Sequence, residues 1–447
     1  MDLRTSDVAA LTGGRLVGPD VVVAGAAIDS RRIAGGELFV PVVAERDGHE
    51  FVASALGSGA AATLSARPAG QLAGLPPDAT VVEVGDTVAA LTALGSAARD
   101  RLDPTAGARV VGVTGSVGKT SVKDLLAATL RTRWRTQASA ESFNNELGVP
   151  ITLVGAPGDA EALVVEMGAR GPGHVAALCA VARPAVGIVT RVAAVHTETF
   201  GSIDAVAEAK GELVAALPPD GTAVLNAADP RVAGMARRSS ARVLTFGPGG
   251  EVRAEGVRLD DGLRPVFTLA SPWGVAGVHL GVRGEHMVEN ALAAAAAALA
   301  CAVPLDSVAA GLAAAALSHW RMELTTAASG ARVLNDAYNA NPTSMAAALR
   351  ALAGLDATRR VAVLGVMAEL GATSDADHAA VGELARSLGV EVVAVGVPAY
   401  GGVPVDDIDG ALAALAGLGS GDAVLVKGSR VAGLERLAAR LVGPPAG

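Results

Sequence analysis

From Arg109 onward, short apolar, β-branched runs alternate with segments whose apolar positions recur at helical spacing. The pairs are RVVGVTG then TSVKDLLAATLRT, ALVVEMG then HVAALCAVA, AVGIVTRV then IDAVAEAKGELVAAL, and TAVLN then PRVAGMARRS. This is strand–helix–strand syntax, and it predicts a largely parallel sheet covered by helices. Residues 251–283 break the rhythm with alternating extended segments, which predicts a small antiparallel addition, and helices are expected from about Met287 and Leu305. A second series then runs ARVLNDA, TSMAAALRAL, RRVAVLGVM, HAAVGELARSLG, VEVVAVG, ALAALAG, DAVLVKG and RVAGLERLAARL, the pattern of a smaller doubly wound domain. The first hundred residues are less regular and end near the turn-rich RLDPTAG. The expected division is therefore an α/β protein of three domains: a mixed N-terminal unit 1–105, a central parallel-sheet unit 106–317 and a Rossmann-like C-terminal unit 318–447.

Length agrees with that division, because 447 residues exceed what one hydrophobic core usually serves. A composition 51% hydrophobic and 18% charged supplies folded cores, and the net charge of -9 without a Lys/Arg run argues against nucleic acid as a partner. Cys179 and Cys301 have no C-x-x-C partner, so neither a disulfide framework nor a zinc site is expected, and a reducing cytoplasm fits. The stretch MDLRTSDVAALTGG lacks a basic start followed by an apolar run, so it does not read as a signal peptide. Ala291 to Val303 is the most apolar run, but it falls short of the ~20 residues that span a bilayer. A buried helix is expected there, with no membrane insertion, and the chain is expected to be a cytoplasmic monomer.

Chemistry enters at GVTGSVGKTS, residues 112–121, between a predicted strand and a predicted helix. Backbone N–H groups of such a turn, together with the helix N-terminus, cradle phosphates. Lys119 would neutralise phosphate oxygens and Thr120 would ligate Mg2+. The strict G-x-x-x-x-G-K-[ST] pattern would place its first glycine at Val113, so this is a variant with Gly112 and Gly115 on either side. A plain glycine-rich turn is the alternative, but G-K-T-S opening a helix behind a V-V-G-V-T strand favours ATP or GTP. The expected nucleotide contacts are Gly112, Thr114, Gly115, Ser116, Val117, Gly118, Lys119, Thr120 and Ser121.

Three further residues fall where an open sheet binds ligands. Glu166 ends the apolar strand ALVVE, where an unpartnered carboxylate would cost several kcal/mol, so a cation or donor is expected beside it. His196 follows another strand, in TRVAAVHTETFGS; a loop histidine is otherwise structural or solvated. Lys210, in AEAKGELVAAL, would by periodicity alone be an exposed lysine with helical charge neighbours. The polar stretch DAYNANPTSM, residues 336–345, reads as a strand-to-helix connection capped by Thr343 or Ser344, yet it crowds Asp336, Tyr338, Asn339 and Asn341 together.

The phosphate loop, ESFNNELGVP (141–150), VVEMGA (164–169), the AVHTETFGS loop, AKGE, GEHMVENALAAAA, DAYNANPTSM and VKGSR together resemble the Mur ligases of bacterial peptidoglycan synthesis, in order and spacing over nearly the whole chain. GSVGKTS, FNNELGVP, YNANP and MAELG resemble the branch that adds D-alanyl-D-alanine, and the D-N-P-R-like acceptor motif of the diamino-acid-adding branch is absent. The resemblance implies an ATP-dependent amide ligase acting on UDP-N-acetylmuramoyl-tripeptide and D-alanyl-D-alanine. It implies two Mg2+ ions, with Thr120 and Glu166 at the first and His196 near the second, and Lys210 carbamylated by CO2 so that an amine becomes a metal-binding carboxylate. It places Lys119, Lys210 and His196 in catalysis, and Asn290, Arg321, Asp336 and Tyr338 on ATP. Ser30 and Arg31 would contact UDP, and Asn144, Asn145, Asn339 and Asn341 would face the substrates. Family members usually follow this histidine with an aliphatic residue and Glu; here the order is His196-Thr197-Glu198. Two other readings are open: a sister ligase adding one diamino acid, and a P-loop NTPase regulator that makes no bond.

Overall fold

Val110–Thr114 is apolar at nearly every position and buried throughout, the signature of a strand covered on both faces at the centre of a parallel sheet. The computed structural model describes residues 2–102, 109–140, 143–193 and 200–443. In it this strand lies between Val186–Val189 and Ala162–Glu166, and Thr222–Asn226, Arg242–Phe246 and Thr136–Ala138 complete an all-parallel six-stranded sheet. Alternation along the strand divides the core. Val111 and Val113 pack with the helices Lys119–Leu130 and Met287–Ala300. Val110 packs on the opposite side with Val175 and Leu213, from the helices His174–Ala182 and Ile203–Ala215. The alanine-rich helix is buried all round, as its unbroken apolar pattern requires.

The expected antiparallel addition is a three-stranded sheet of Arg253–Leu259, Pro265–Ser271 and Gly274–His279. The N-terminal region holds a five-stranded sheet, parallel except for Arg15–Val17 against Val81–Glu83, and a separate antiparallel pair. Its helix Thr87–Asp100 is N-capped by Asp86 and tied to the central unit by Arg99, whose guanidinium donates to the Ala182 carbonyl at 2.8 Å. The C-terminal sheet is parallel through Arg332–Asn335, Ala423–Lys427, Arg360–Leu364, Glu391–Val395 and Val403–Val405. One edge departs from the strand–helix syntax: Glu323–Thr326 pairs antiparallel with Arg332–Asn335 around a short turn that ends at Gly330, φ +88°. Four residues of mixed polarity give too short an alternation to announce that strand.

The carboxyl ends of the central and C-terminal sheets open onto one cavity of about 850 Å³. On the central side it lies where neighbours of Val110–Thr114 diverge in chain order, the crevice in which open α/β sheets bind ligands.

Candidate active site

The turn after Val110–Thr114 is built around two glycines. Gly115 has φ +144°, and a Cβ there would lie 1.9 Å from the Thr190 hydroxyl; Gly118 has φ +85°, and its Cβ would lie 2.5 Å from Asn290 Oδ1. Val113, where the strict pattern wants glycine, is still inside the strand, so the turn begins two residues later. Ser116 N donates to the Arg191 carbonyl at 2.7 Å and the Thr190 hydroxyl donates to the Val117 carbonyl at 2.6 Å, which ties the loop to the neighbouring strand end. Among the described residues no side chain caps the N-terminus of Lys119–Leu130, and a helix start of this kind favours an anion. Lys119 Nζ donates to the Gly115 carbonyl at 2.8 Å. Burial holds its pKa below that of an ordinary lysine, Glu166 opposes the shift and Arg321 adds to it. A polyphosphate is the kind of group that would relieve this concentration of positive charge.

Glu166 is 1% exposed, and its two carboxylate oxygens are both engaged. Oε2 accepts from the Thr120 hydroxyl at 2.8 Å and Oε1 from Asn144 Nδ2 at 2.9 Å. The donors that burial demanded are therefore present. A hydroxyl and a carboxylate are hard oxygen ligands, and Mg2+ is commonly held by one or two such groups together with substrate phosphates. No group of three or more His, Cys, Asp or Glu suited to a metal occurs among the described residues. His196 lies outside the described residues.

Lys210 is buried on the helix Ile203–Ala215 and reaches the cavity, contrary to its periodicity-based reading as an exposed lysine. Burial pushes its ammonium down to about 7, helped by Lys119 and opposed by Glu212. A buried amine with its pKa near 7 is partly neutral at that pH, so it can act as a nucleophile in the cavity that Thr120 and Glu166 also line.

The C-terminal wall is anchored by a residue given no role from sequence. Lys427, 2% exposed at the end of its strand, pairs with the Asp336 carboxylate and donates to the Asn339 carbonyl at 2.9 Å. Asp336 Oδ1 also accepts from Met322 N at 3.2 Å, and Tyr338 N donates to the Trp320 carbonyl at 3.3 Å. These bonds hold the Arg321 guanidinium 4.3 Å from the centre of the Tyr338 ring. Asp336→Ala is expected to strand a buried ammonium and to cost about 3–5 kcal/mol, read as a lowered urea midpoint, whatever it does to nucleotide affinity. An unchanged midpoint would contradict this reading of the pair.

The helix Pro342–Gly354 is capped by Asn341, not by Thr343 or Ser344: Asn341 Oδ1 accepts from Ser344 N at 2.9 Å, and Ser344 Oγ accepts from Asn341 N at 3.1 Å. The run N-P-T-S puts Pro342 at the first helical position, which places the cap at Asn341, two residues before Thr343 and three before Ser344. Asn145 is likewise engaged, accepting from Gly148 N at 3.0 Å, and Asn339 Oδ1 accepts from Ala340 N at 2.9 Å. All four asparagines, Asn144, Asn145, Asn339 and Asn341, line the cavity, as do Asn290, Arg321, Asp336, Tyr338 and Ser116 through Ser121. Gly112 and Thr114 do not: Gly112 packs against Leu213 and Met167 within the sheet, and the Thr114 hydroxyl donates to the Met167 carbonyl at 2.7 Å. Ser30 and Arg31 are also away from it, on a short turn where Arg31 pairs with Asp29. Sequence reasoning further missed Arg191 and Glu289, a two-pronged ion pair joined by Asn226. Glu289 stands next to Asn290 in the same quoted motif, which was the available signal.

The family model of the Mur ligase middle domain matches residues 113–298, and that of the Mur ligase glutamate ligase domain matches 320–430. A UDP-N-acetylmuramoyl-tripeptide--D-alanyl-D-alanine ligase of Mycobacterium tuberculosis (strain ATCC 25618 / H37Rv) is 43% identical over 465 aligned residues, 93% of this chain and 91% of the relative. The chain belongs to the Mur ligase family. Among solved structures, MurF from Acinetobacter baumannii superposes on this Mur ligase with a TM-score of 0.86 at 29% identity, covering 99% of each chain. MurF from Thermotoga maritima in complex with ADP gives 0.79 at 26% identity, over 93% of this Mur ligase and 96% of that chain. The three-part α/β architecture of the Mur ligase is thus a MurF-like one.

Proposed function

We infer that this chain is an ATP-dependent ligase that joins D-alanyl-D-alanine to UDP-N-acetylmuramoyl-tripeptide, giving the UDP-linked pentapeptide for peptidoglycan synthesis. The observation that carries the reading is one cavity in which an uncapped phosphate loop, the Thr120–Glu166 pair and Lys210 face Arg321, Asp336 and Tyr338. The diamino-acid-adding and regulatory alternatives are not favoured, because the relatives similar along nearly the full chain carry the dipeptide-adding name.

A carboxylate does not condense with an amine in water at a useful rate, since its oxygen is a poor leaving group. The reaction therefore runs in two displacements. A terminal carboxylate oxygen of the tripeptide attacks the γ-phosphorus of ATP and ADP leaves; the dipeptide amine then attacks the acyl carbon, phosphate leaves, and the amine's proton passes to a base or to water. Phosphoryl transfer depends on positioning and charge neutralisation. Lys119 and the amides at the start of its helix hold the phosphates, Glu166 and Thr120 offer oxygens to Mg2+, and Lys210 as its carbamate offers a further carboxylate. Bound Mg2+ supplies neutralisation of charge on the transferring phosphoryl group. Arg321, Asp336 and Tyr338 close on the nucleotide from the C-terminal side, with Asn290 beside the loop at Gly118.

Two Mg2+ ions, the His196 contact, UDP binding at Ser30 and Arg31, and substrate contacts from the four asparagines belong to the same proposal, as do the three domain limits, a monomeric state and a cytoplasmic location. No helix among the described residues is long and apolar enough to cross a membrane. The proposal is tested by offering D-alanyl-D-alanine or meso-diaminopimelate as the amine with UDP-N-acetylmuramoyl-tripeptide and ATP. Amide product is expected with the dipeptide alone, and product with the diamino acid instead would assign the chain to the sister activity.

A further inference from the structure

One turn beyond Lys119 and Thr120, the same helix carries an ion pair that the reaction does not use. Lys123 and Asp124 are 3% and 12% exposed at their side chains and lie 3.0 Å apart. Each also reaches away from the helix. Lys123 Nζ donates to the Ser139 carbonyl at 2.8 Å, and Ser139 Oγ accepts from Glu166 N at 3.2 Å, directly behind the carboxylate that faces Thr120. Asp124 Oδ2 accepts from both the amide and the hydroxyl of Ser318, each at 2.8 Å.

Ser318 belongs to the connection between the helix Leu305–Ala314 and the strand Glu323–Thr326, the one covalent path from the central unit into the C-terminal sheet. Three residues on stands Arg321, flanked by Trp320 at φ +60° and Met322 at φ +52°. Two bulky side chains in left-handed backbone persist only where their surroundings over-determine the conformation. Here the surroundings are anchors at both ends: Asp124 holds Ser318 on the phosphate-loop side, and Asp336 with Tyr338 holds Met322 and Trp320 on the other. A nearly buried ion pair adds little net stability over apolar residues of the same size, so stability alone is a weak reason for this one.

We propose that Asp124 is a positioning residue: through Ser318 it fixes the connection against the phosphate-loop helix, so that Arg321 and Tyr338 are delivered in register with the phosphates gripped by Lys119 and Thr120. Lys123, on the same pair, steadies Glu166 from behind. The inference rests on the ligase reading for its effect on rate, but not for its effect on the connection.

Ser318→Ala removes one of the two bonds and leaves the Lys123–Asp124 pair intact, so it is the variant that keeps the fold. It is expected to lower kcat for ligation about tenfold with a clearly smaller loss of ADP affinity and little change in the urea midpoint, because the phosphate loop is untouched and what is lost is the alignment of Arg321 and Tyr338. Ser318→Thr, which retains the hydroxyl, should restore the rate. Limited trypsinolysis supplies a readout independent of activity: cleavage after Arg321, followed by mass spectrometry, should rise in Ser318→Ala and not in Ser318→Thr. Wild-type kcat in Ser318→Ala, or a loss matched by an equal loss of ADP affinity, would overturn the positioning role. If the wild-type chain makes no amide, the ligase reading fails, and the latch is then decided by cleavage at Arg321 alone; unchanged cleavage overturns it.

Discussion

Replacing Lys210 by alanine is expected to lower the rate of ligation by about a hundredfold to a thousandfold, the size of effect that follows removal of one preorganised electrostatic group from an active site. Added formate or acetate should restore part of it, because a small carboxylate can enter the space left by the side chain and return the missing negative charge. The structural basis is burial: Lys210 is almost wholly shielded from solvent and the charge of Lys119 acts in the same sense, so its ammonium is pushed down to about 7. Only the neutral amine adds CO2. In protein first depleted of CO2, the initial rate of recovery at a fixed concentration of dissolved CO2 should quicken as pH rises and level off above about 7, whereas an ordinary lysine, titrating at ~10.4, would still be gaining at pH 9. An active Lys210→Ala variant, or an inactive one that no carboxylate rescues, would remove the carbamate from the mechanism.

Lys119→Met is expected to be at least as damaging, with a loss of about a hundredfold to a thousandfold in kcat and a weaker hold on ATP. Methionine keeps the apolar stem and its packing but cannot neutralise phosphate oxygens. In the structure Lys119 is folded onto the Gly115 carbonyl with its charge disfavoured by burial, so the variant should fold at least as stably as the parent; a raised urea midpoint beside a collapsed kcat is the expected pair of results. Retained kcat would mean that the phosphates are gripped elsewhere.

The central and C-terminal series of strands were legible because parallel strands buried on both faces read as unbroken apolar runs, and Val110–Thr114 and Ala423–Lys427 are of that kind. The edge strand Glu323–Thr326 was not legible, being short, half-polar and paired through a tight turn. Within the site, the glycine-rich turn carried its own signal, and the position of Glu166 followed from its place at a strand end. Lys210 could be singled out only through resemblance, since helical periodicity gives a lysine no reason to be buried. Lys427, Arg191 and Glu289 went unread for a related cause: each is held by a partner far away in sequence, Lys427 by Asp336 and Arg191 by Glu289, and long-range ion pairs leave no local pattern. The cap at Asn341 shows the opposite case, where local chemistry was present but Pro342 at the first helical position set the cap two or three residues earlier than Thr343 or Ser344.

The central claim is that nucleotide cleavage in this cavity is tied to making an amide bond, and ADP release tests it most directly. With ATP, Mg2+ and UDP-N-acetylmuramoyl-tripeptide present, ADP should accumulate steadily only after D-alanyl-D-alanine is added, in step with amide product. Steady ADP release at the same rate without the dipeptide would contradict the account.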